Sequence, residues 1–560
     1  MYLPTTREEM AKLSWEKLDI IIVTGDTYID SPYMGISVIG KILLKAGYRV
    51  GIIAQPDINS PDDICRLGEP CLFWGVTAGS VDSMIANYTA TGKKRKKDDY
   101  TPGGINNRRP DRATIVYVNL IKRYFKNTCP IVLGGIEASL RRIAHYDFWV
   151  DCIRRSILFD SKADILVYGM AENSILELTK RLAKKESISD IRGICYISDN
   201  PVEKSILLPS FSEVKQDKEK FIQMFHLFYQ NQDPFHGKIL AQQQDNRYLI
   251  HNPPSFPLST KKLDKIYEID YENDVHPFYF KDGPVRAMDT IKFSVTSHRG
   301  CFGECNFCAI TVHQGKYIQS RSEKSIINEI KQLATDKDFK GYILDVGGPT
   351  ANMYGMGCSD PRRDSHCLKK RCLFPVICNN LALSHQPQMR LLRKIRKIKG
   401  IKKIFVASGI RYDLVVADKK NGTNYLREII QHHISGQLKI APEHIEKKVL
   451  SLMGKGDNKY LSSFKKLFDR INRQTGQKQY LTYYFIAAHP GCREKDMILL
   501  KQFIQKELHI YPEQVQIFIP TPSTYSSVMY YTGMDPFTGD NIFVEKKVKN
   551  KEKQKKLIIN

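Results

Sequence analysis

The sequence predicts an α/β protein in two parts, a doubly wound N-terminal domain followed by a partial (β/α)6 barrel of the TIM type. Two observations carry this prediction. Short apolar runs alternate with amphipathic stretches along residues 1–200, and a second alternation of six such units begins near residue 291. Strands that alternate with helices indicate a parallel sheet covered by helices. Six units make three quarters of an eight-stranded barrel, so one side is left open.

In the N-terminal domain, 1–200, the predicted strands run into glycines. The apolar run DIIIVT leads into Gly25, and a helical pattern from Ser37 ends at a glycine. Further strands are predicted at Arg49 to Ala54, Cys71 to Val76, Ile131 to Leu133 and Ala163 to Tyr168. Parallel sheets bind ligands beyond the carboxyl ends of their strands, so the glycines mark a ligand edge. The polar stretch 92–110, rich in glycine and proline, predicts a loop or a lid.

The stretch 201–286 is rich in Gln, Asp, Pro and Lys, and it predicts a helical connector followed by an extended linker. The second domain, 287–540, carries a cysteine-rich insertion at 352–385. Its predicted strands are Lys292 to Ser297, Gly341 to Val346, Lys402 to Ala407, Gln437 to Ala441, Tyr480 to Ala487 and Gln514 to Ile519. The basic tail 541–560 predicts disorder.

Composition limits the class of protein. A hydrophobic content of 42% and a charged content of 26% are those of an ordinary globular chain. The apolar runs are shorter than a membrane span, and the first residues show no signal-peptide pattern, so we expect a cytoplasmic protein with no membrane partner. The net charge of +25 suits a polyanionic partner. Because the basic residues are spread along the chain, a nucleic-acid partner is left open.

Seven of the thirteen cysteines lie between Cys301 and Cys378, and clustered cysteines in a reducing compartment favour metal ligation. Cys301, Cys305 and Cys308 follow the first barrel strand with the spacing C-x3-C-x2-C. On a cubane iron-sulfur cluster, three thiolates hold three irons and leave the fourth open. The alternatives are a zinc site, with His298 or His313 as fourth ligand, and three structural cysteines.

This spacing, with Phe307 before the last cysteine, resembles the signature of the radical S-adenosylmethionine (radical SAM) superfamily. The resemblance implies that the three cysteines bind a 4Fe-4S cluster and that S-adenosylmethionine chelates the open iron. It also implies reductive cleavage to methionine and a 5′-deoxyadenosyl radical, which abstracts hydrogen from a substrate. The protein would position these cofactors and exclude water.

Three further motifs fit cofactor-binding roles. Gly347 and Gly348 in DVGGPT resemble the glycine pair that meets the methionine amino group, and backbone without side chains can approach a ligand closely. Ser408 and Arg411 in VASGIRYD follow the third strand, where a guanidinium could bind the methionine carboxylate or form a structural ion pair. Glu443 in IAPEHIE could accept hydrogen bonds from ribose hydroxyls or complement a helix dipole.

Over almost its whole length the chain resembles the YgiQ-type radical SAM proteins. The resemblance is carried by VTGDTYIDSPYMG, IAQPD, VLGGIEASLRRIAHYDFW, GGPTANMYGMGC, APEH and PTPSTYSSVMYYTGMDPFTG. The N-terminal domain is also similar to the cobalamin-binding domain of many superfamily members. The cobalamin motif Asp-x-His-x-x-Gly is degraded between Asp30 and Gly35, with Pro32 in place of the histidine. This substitution weakens the cobalamin hypothesis and leaves it open.

A second cysteine group, Cys358, Cys367, Cys372 and Cys378, lies in the insertion. Four cysteines within a loop rich in glycine, proline and arginine suit a closed metal site, because a metal could order such a segment. The spacing does not separate a second iron-sulfur cluster from zinc. Four free thiols, or His366 as a substitute ligand, are the alternatives.

The favoured function is therefore a radical SAM enzyme with an unassigned substrate, which could be RNA, protein or a small metabolite. We expect a flavodoxin or ferredoxin as its electron donor. The alternative is a non-enzymatic iron-sulfur protein, either an electron carrier or a redox-sensing RNA-binding module. A carrier would need neither an open iron nor a glycine pair beside it, so the triad together with Gly347 and Gly348 favours the enzyme.

Overall fold

The computed structural model describes residues 1–360, 367 and 371–559. The chain divides into two compact units. The N-terminal unit comprises Met1–Phe256 and Ile269–Lys292, and the barrel unit comprises Pro257–Glu268 and Phe293–Asn560. Among the described residues, none of the helices has the length and apolarity needed to cross a membrane.

The N-terminal unit is built on a nine-stranded sheet. Its strands, in spatial order, are Ile206–Leu208, Leu240–Gln244, Arg247–His251, Ile194–Ser198, Ile165–Val167, Ile131–Leu133, Phe73–Thr77, Ile20–Thr24 and Val50–Ala54. The last five of these pair in parallel. Ile20–Thr24 and Val50–Ala54 are buried at every position, as expected of strands covered on both faces. The predicted doubly wound domain is thus confirmed.

Helices connect these strands. The helices of the N-terminal unit are Arg7–Lys12, Gly35–Lys45, Ser83–Asn87, Ala113–Tyr124, Gly135–Leu140, Ile157–Ser161, Glu172–Lys184, Phe211–Gln216, Lys218–Gln230 and Met288–Ile291, with 3-10 turns at Pro102–Gly104 and Pro277–Asp282. Two small ribbons complete the unit: Ile29–Asp30 with Asp274–Val275, and His145–Asp147 with Cys152–Arg154.

The stretch 201–286 differs from the predicted connector, because three strands of the large sheet and three α-helices lie within it. Buried glutamines hide one of these strands, Leu240–Gln244, from a hydrophobicity pattern. Gln242 Oε1 accepts a hydrogen bond from Ala144 N at 3.1 Å, and Gln244 Oε1 accepts one from Ser156 N at 2.9 Å. A buried amide with partners costs little, so polar residues occupy core positions here.

The barrel unit contains the six predicted strand regions in parallel order. Its parallel pairs are Ser294–Thr296 with Asp345–Gly347, Tyr342–Ile343 with Lys403–Ile404, and Gln437–Glu443 with Tyr480–Ala487, which in turn pairs with Gln514–Ile517. A single parallel bridge between Ile410 and Ile440 continues the series. The partial barrel is therefore confirmed.

The helices of the barrel unit are Thr260–Tyr267, Ala309–Gln314, Glu323–Leu333, Gln386–Ile395, Tyr412–Ala417, Gly422–His432, Lys447–Leu452, Lys459–Gln474, Glu494–Phe503, Tyr525–Thr532 and Val548–Ile559. A 3-10 turn at Ala351–Met353 and a π-helical turn at Ile504–Leu508 add to them. Short antiparallel pairs join His298–Arg299 to Gln319–Ser320 and Gly357–Cys358 to Leu381–Ala382.

The basic tail also differs from the prediction of disorder, because it forms the helix Val548–Ile559. Lys551 Nζ donates to Tyr530 Oη at 2.7 Å, and Gln554 Oε1 accepts from Ala488 N at 2.9 Å. Ile558 belongs to the hydrophobic core of the unit. Three inward residues at helical spacing are enough to dock a helix whose other faces are basic.

Candidate functional site

The three cysteines of the triad lie on the loop between the strand His298–Arg299 and the helix Ala309–Gln314. Gly300 has a φ of 84°, and a Cβ there would lie 2.1 Å from the carbonyl oxygen of Tyr317. Only glycine fits such a position. Thr311 Oγ1 donates to the carbonyl oxygen of Cys301 at 3.2 Å, and Cys308 N donates to that of Cys305 at 3.0 Å. The loop is thus held by hydrogen bonds to its own carbonyl oxygens.

The sulfurs of Cys301 and Cys305 both lie close to Gly303. A Cβ built on this glycine would lie 3.3 Å from Cys301 Sγ and 3.9 Å from Cys305 Sγ. Burial, together with the charges of Cys305 and Cys301, raises the pKa of the Cys308 thiol to about 12. Burial also raises the pKa of Cys301. Iron stabilises the thiolate form that these surroundings disfavour, so the donor set fits a metal cluster.

Within the described residues, no group of three His, Cys, Asp or Glu side chains could hold a single metal ion. A cubane cluster does not require such a group, because each thiolate binds a different iron. A zinc ion would need its donors around one point. His298 is also engaged elsewhere, since its Nε2 lies 3.1 Å from the carbonyl oxygen of Thr350 and its Nδ1 lies 2.9 Å from Ser297 Oγ. These contacts disfavour His298 as the fourth ligand of a zinc ion.

Gly347 and Gly348 lie at the carboxyl end of the strand Asp345–Gly347. A neighbouring side chain lies so close to each of them that a Cβ would clash with it. A Cβ on Gly347 would lie 2.5 Å from Ser408 Oγ, and one on Gly348 would lie 2.6 Å from Cε1 of His298. The need for glycine at both positions therefore follows from packing alone, whatever else their backbone binds.

Ser408 is bound to an acid that the sequence analysis missed. Its hydroxyl donates to Asp345 Oδ2, and Asp345 Oδ1 accepts from Ala407 N at 2.8 Å and from Ser408 N at 3.2 Å. Burial raises the pKa of Asp345. The position of Asp345 two residues before the glycine pair, at the end of a strand, was the signal that could have found it.

Arg411 lies beside the cysteine loop, with Nη1 3.9 Å from Cys305 Sγ. Its Nε donates to Asp413 Oδ1 at 3.0 Å, so the structural ion pair considered in the sequence analysis is present. Although burial opposes the charge, Asp413 raises the pKa of Arg411. Arg411 is thus a buried, permanently charged group next to a thiol.

A second residue missed by the sequence analysis, Asn352, fixes the backbone of Arg411. Its Oδ1 accepts from Arg411 N at 2.8 Å, and its Nδ2 donates to the carbonyl oxygen of Arg411 at 3.0 Å. The same amide lies 3.1 Å from Nε2 of His385, whose Nδ1 lies 2.8 Å from Asp418 Oδ2. The chain of bonds anchors the position of Arg411 in the fold.

Glu443 is the last residue of the strand Gln437–Glu443 rather than the first acid of a helix, so a helix-dipole role does not apply. Its φ is 68°, and Oε1 lies 3.6 Å from Lys455 Nζ. Burial raises the pKa of Glu443, whereas Lys455 opposes that rise. The Glu443 carboxylate also raises the pKa of Cys308, which places it within electrostatic range of the triad.

Phe307, on the cysteine loop, packs against a residue that follows the strand Tyr480–Ala487. The ring of Phe307 meets that of His489 edge to face, with centroids 6.2 Å apart. Cys492 is fully buried, and its sulfur lies 3.6 Å from Nε2 of His444. Burial lowers the pKa of His444 to about 4 and raises that of Cys492 to about 12, so both are neutral at pH 7.

The second cysteine group lies close to the first loop. Cys358 pairs with Leu381 across a short ribbon, and Cys378 N donates to the carbonyl oxygen of Cys372 at 2.8 Å. Burial, together with the charges of Glu304, Cys367 and Cys378, raises the pKa of Cys372 to about 12. One hydrophobic cluster includes both Cys301 and Cys372. His366 lies outside the described residues.

Comparisons with known proteins identify the family of the chain. A family model described as radical SAM N-terminal matches residues 2–294. A UPF0313 protein of Fusobacterium nucleatum subsp. nucleatum is 56% identical over 558 residues, covering 100% of this chain and 98% of the relative. A UPF0313 protein of Thermotoga maritima is 50% identical over 562 residues, with the same two coverages.

Two solved structures share the fold. The radical S-adenosylmethionine methyltransferase TsrM from Kitasatospora setae, with cobalamin and a 4Fe-4S cluster bound, superposes with a TM-score of 0.52 at 14% identity. That match covers 90% of this chain and 76% of TsrM. The cobalamin-dependent S-adenosylmethionine radical enzyme OxsB gives a TM-score of 0.51 at 12% identity, covering 90% of this chain and 54% of OxsB.

Proposed function

The chain belongs to the UPF0313 family and is a radical SAM enzyme, and from that premise we propose that Cys301, Cys305 and Cys308 hold a 4Fe-4S cluster with one open iron. When bound, the cluster would supply the electron that cleaves S-adenosylmethionine into methionine and the 5′-deoxyadenosyl radical that abstracts hydrogen from the substrate. The observation that carries the proposal is the convergence of the Cys301 and Cys305 sulfurs above Gly303.

The surrounding residues would hold the thiolates in place and balance their charge. Arg411 presents its guanidinium to Cys305, and Asp413 and Asn352 fix its side chain and backbone. A fixed positive charge stabilises nearby thiolates, and it acts more strongly where water is excluded. We assign Arg411 to this role first and to the methionine carboxylate second, because Asp413 already binds the guanidinium.

Three positions would meet S-adenosylmethionine. The backbone at Gly347 and Gly348 would face the methionine amino group, with Ser408 and Asp345 fixing the end of that strand. Glu443 would accept from the ribose hydroxyls, since it is a strand-end carboxylate within electrostatic range of Cys308. Phe307 would pack behind the cluster against His489.

The electron would come from a flavodoxin- or ferredoxin-type donor, because the cleavage of S-adenosylmethionine needs a reductant. Membership of an enzyme family disfavours the alternative of a non-enzymatic carrier or sensor. We assign no substrate, and nucleic acid stays one of the classes to test, on the strength of the net charge of +25.

We also propose a second metal site at Cys358, Cys367, Cys372 and Cys378. The backbone bonds that bring Cys372 to Cys378 and the pairing of Cys358 with Leu381 support it. Iron and zinc content after anaerobic reconstitution tests it. Iron near eight per chain assigns a second cluster, whereas iron near four per chain with one zinc assigns a zinc site. Four irons without zinc contradict the proposal.

The test of the main proposal is the formation of 5′-deoxyadenosine from S-adenosylmethionine and dithionite by the anaerobically reconstituted protein. We expect product from the wild type and none from Cys305→Ala. Cys71→Ala is the matched control, because Cys71 is an exposed cysteine of the N-terminal unit and its loss should leave product formation unchanged. Equal product from wild type and Cys305→Ala would contradict the proposal.

A further inference from the structure

Cobalamin is bound in solved structures that share this fold, and the ligands of parallel α/β sheets bind at the carboxyl edge of the strands. We infer that in this chain the same edge is closed by residues 98–109, here called the closing segment, and that the N-terminal unit binds no corrinoid. The inference rests only on contacts within the N-terminal unit.

The closing segment forms hydrogen bonds with residues just beyond the carboxyl ends of three neighbouring strands. After the strand Ile20–Thr24, Thr27 N donates to the carbonyl oxygen of Tyr100 at 3.0 Å. After Val50–Ala54, Gln55 Nε2 donates to Thr101 Oγ1 at 2.7 Å. After Phe73–Thr77, the carbonyl oxygen of Ala78 accepts from Arg109 Nη1 at 2.7 Å. The donors and acceptors that a ligand would use at these strand ends are therefore taken by the chain.

A fully buried ion cluster locks the segment in place. Arg109 Nη1 lies 2.7 Å from Asp26 Oδ1, and Arg109 Nη2 lies 3.0 Å from Asp98 Oδ2. Asp98 also accepts from Thr101 Oγ1 at 3.0 Å. All three charged groups are buried, so removing the segment would leave Asp26 unpaired at the strand end. Closure of the strand edge therefore also supplies the cation that pairs with Asp26.

The glycines at this edge make room for the chain itself. A Cβ on Gly25 would lie 2.2 Å from the carbonyl oxygen of Ala78, and one on Gly79 would lie 2.2 Å from Asp26 Oδ1. A Cβ on Gly135 would lie 2.3 Å from Thr77 Oγ1. Gly25 was among the glycines that predicted a ligand edge, yet close approach between neighbouring strand ends accounts for all three positions.

The remnant of the cobalamin motif has a structural role as well. The side chain of Asp30 is buried and lies 2.8 Å from Lys41 Nζ, and its Oδ2 accepts from Glu272 N at 3.1 Å. In the motif this carboxylate would orient a histidine, but Pro32 stands at that position. Asp30 thus pairs with a lysine inside the unit instead of supporting a metal ligand.

The test is equilibrium dialysis of the full-length, cluster-reconstituted protein against hydroxocobalamin, with amide hydrogen exchange of the same sample. We expect no cobalamin retained by the wild type and slow exchange across residues 98–109. Saturable, stoichiometric binding of cobalamin would overturn the inference, whether or not the closing segment is displaced. Fast amide exchange across residues 98–109 in the absence of cobalamin would contradict the inference that the closing segment covers this edge.

Two variants add a matched comparison. Arg109→Ala should raise the exchange rate of residues 98–109, because the ion cluster is lost, whereas Arg108→Ala should leave it unchanged. Arg108 is a half-exposed neighbour that contacts Asp282 at 3.3 Å. Equal exchange in the two variants would overturn the locking role of Arg109. If Arg109→Ala does not fold, the wild-type dialysis and exchange still decide the inference.

Discussion

At the scale of single residues, buried charges decide the local structure of both units. Arg109 joins Asp26 and Asp98 in the N-terminal unit, and Arg411 joins Asp413 beside the triad. A structural ion pair was one of the two expectations for Arg411, and its partner Asp413 lies only two residues away in the sequence. A buried arginine holds its charge only where such partners surround it.

Arg109→Ala should destabilise the N-terminal unit strongly. The variant leaves two buried carboxylates without a cation, which costs about 3–5 kcal/mol. Arg108→Ala removes a half-exposed pair and should cost at most about 1 kcal/mol. Denaturant unfolding followed by circular dichroism measures both. A cost for Arg109→Ala no larger than that for Arg108→Ala would contradict the buried ion cluster.

His145 should make the stability of the N-terminal unit depend on pH. Burial, aided by Arg141, lowers the pKa of His145 from 6.5 to about 4. Between these values the unfolded chain binds more protons than the folded chain, so stability is full above pH 6.5 and is lost as pH falls toward 4. The slope reaches about 1.4 kcal/mol per pH unit.

His145→Gln removes this titration and should flatten the dependence between pH 6.5 and 4, as measured by denaturant unfolding across that range. Gln can still donate to the carbonyl oxygen of Ile143, which His145 Nδ1 contacts at 3.0 Å. A variant as steep as the wild type would show that His145 does not titrate as described.

At the scale of elements, the loop that carries the triad is shaped by two glycines with positive φ. Gly300 has a φ of 84° and Gly315 a φ of 83°, at the two ends of the segment that holds all three cysteines. The two sites differ in their surroundings, since a Cβ on Gly300 meets the carbonyl oxygen of Tyr317 and a Cβ on Gly315 meets nothing within 4 Å.

Gly300→Ala should therefore abolish cluster incorporation, whereas Gly315→Ala should only reduce stability by about 1–2 kcal/mol through backbone strain. Iron content after reconstitution, together with the unfolding midpoint, separates the two effects. Equal iron content in both variants would show that the loop tolerates a side chain at Gly300.

The C-terminal helix Val548–Ile559 is the second element with a specific expectation. Deleting residues 548–560 should lower the melting temperature of the barrel unit, because it exposes the contacts of Lys551, Gln554 and Ile558. Gln554→Ala should reproduce part of the loss, and Lys556→Ala, at an exposed position, should not. An unchanged melting temperature after the deletion would support the disordered tail that composition predicted.

At the scale of the whole molecule, hydrophobic periodicity was enough to predict a doubly wound domain followed by a partial barrel. Apolar strands such as IIIVT are recognisable because both faces of a parallel sheet are buried. The strand Leu240–Gln244 was missed because buried, hydrogen-bonded glutamines interrupt its apolar pattern. The docked C-terminal helix was missed because only three of its residues are buried, and two of these are polar.

The sequence predicted the metal donors of the candidate site but not the residues that hold the surrounding side chains in place. The cysteine spacing is local in the sequence and visible without a structure. Asp345 and Asn352 act on residues about 60 positions away, at Ser408 and Arg411, and such partners follow only from the barrel that joins successive strands. The close contacts of the glycines at the N-terminal edge could not be predicted either, because the residues that they touch are distant in the sequence.

The central claim is a three-cysteine cluster with an open iron that takes S-adenosylmethionine. Electron paramagnetic resonance of the reduced, reconstituted protein tests it most directly. We expect a 4Fe-4S signal that shifts on addition of S-adenosylmethionine, persists in Cys71→Ala and is absent from Cys305→Ala. A 4Fe-4S signal of which no part shifts with S-adenosylmethionine, or a shift that survives Cys305→Ala, would contradict the account.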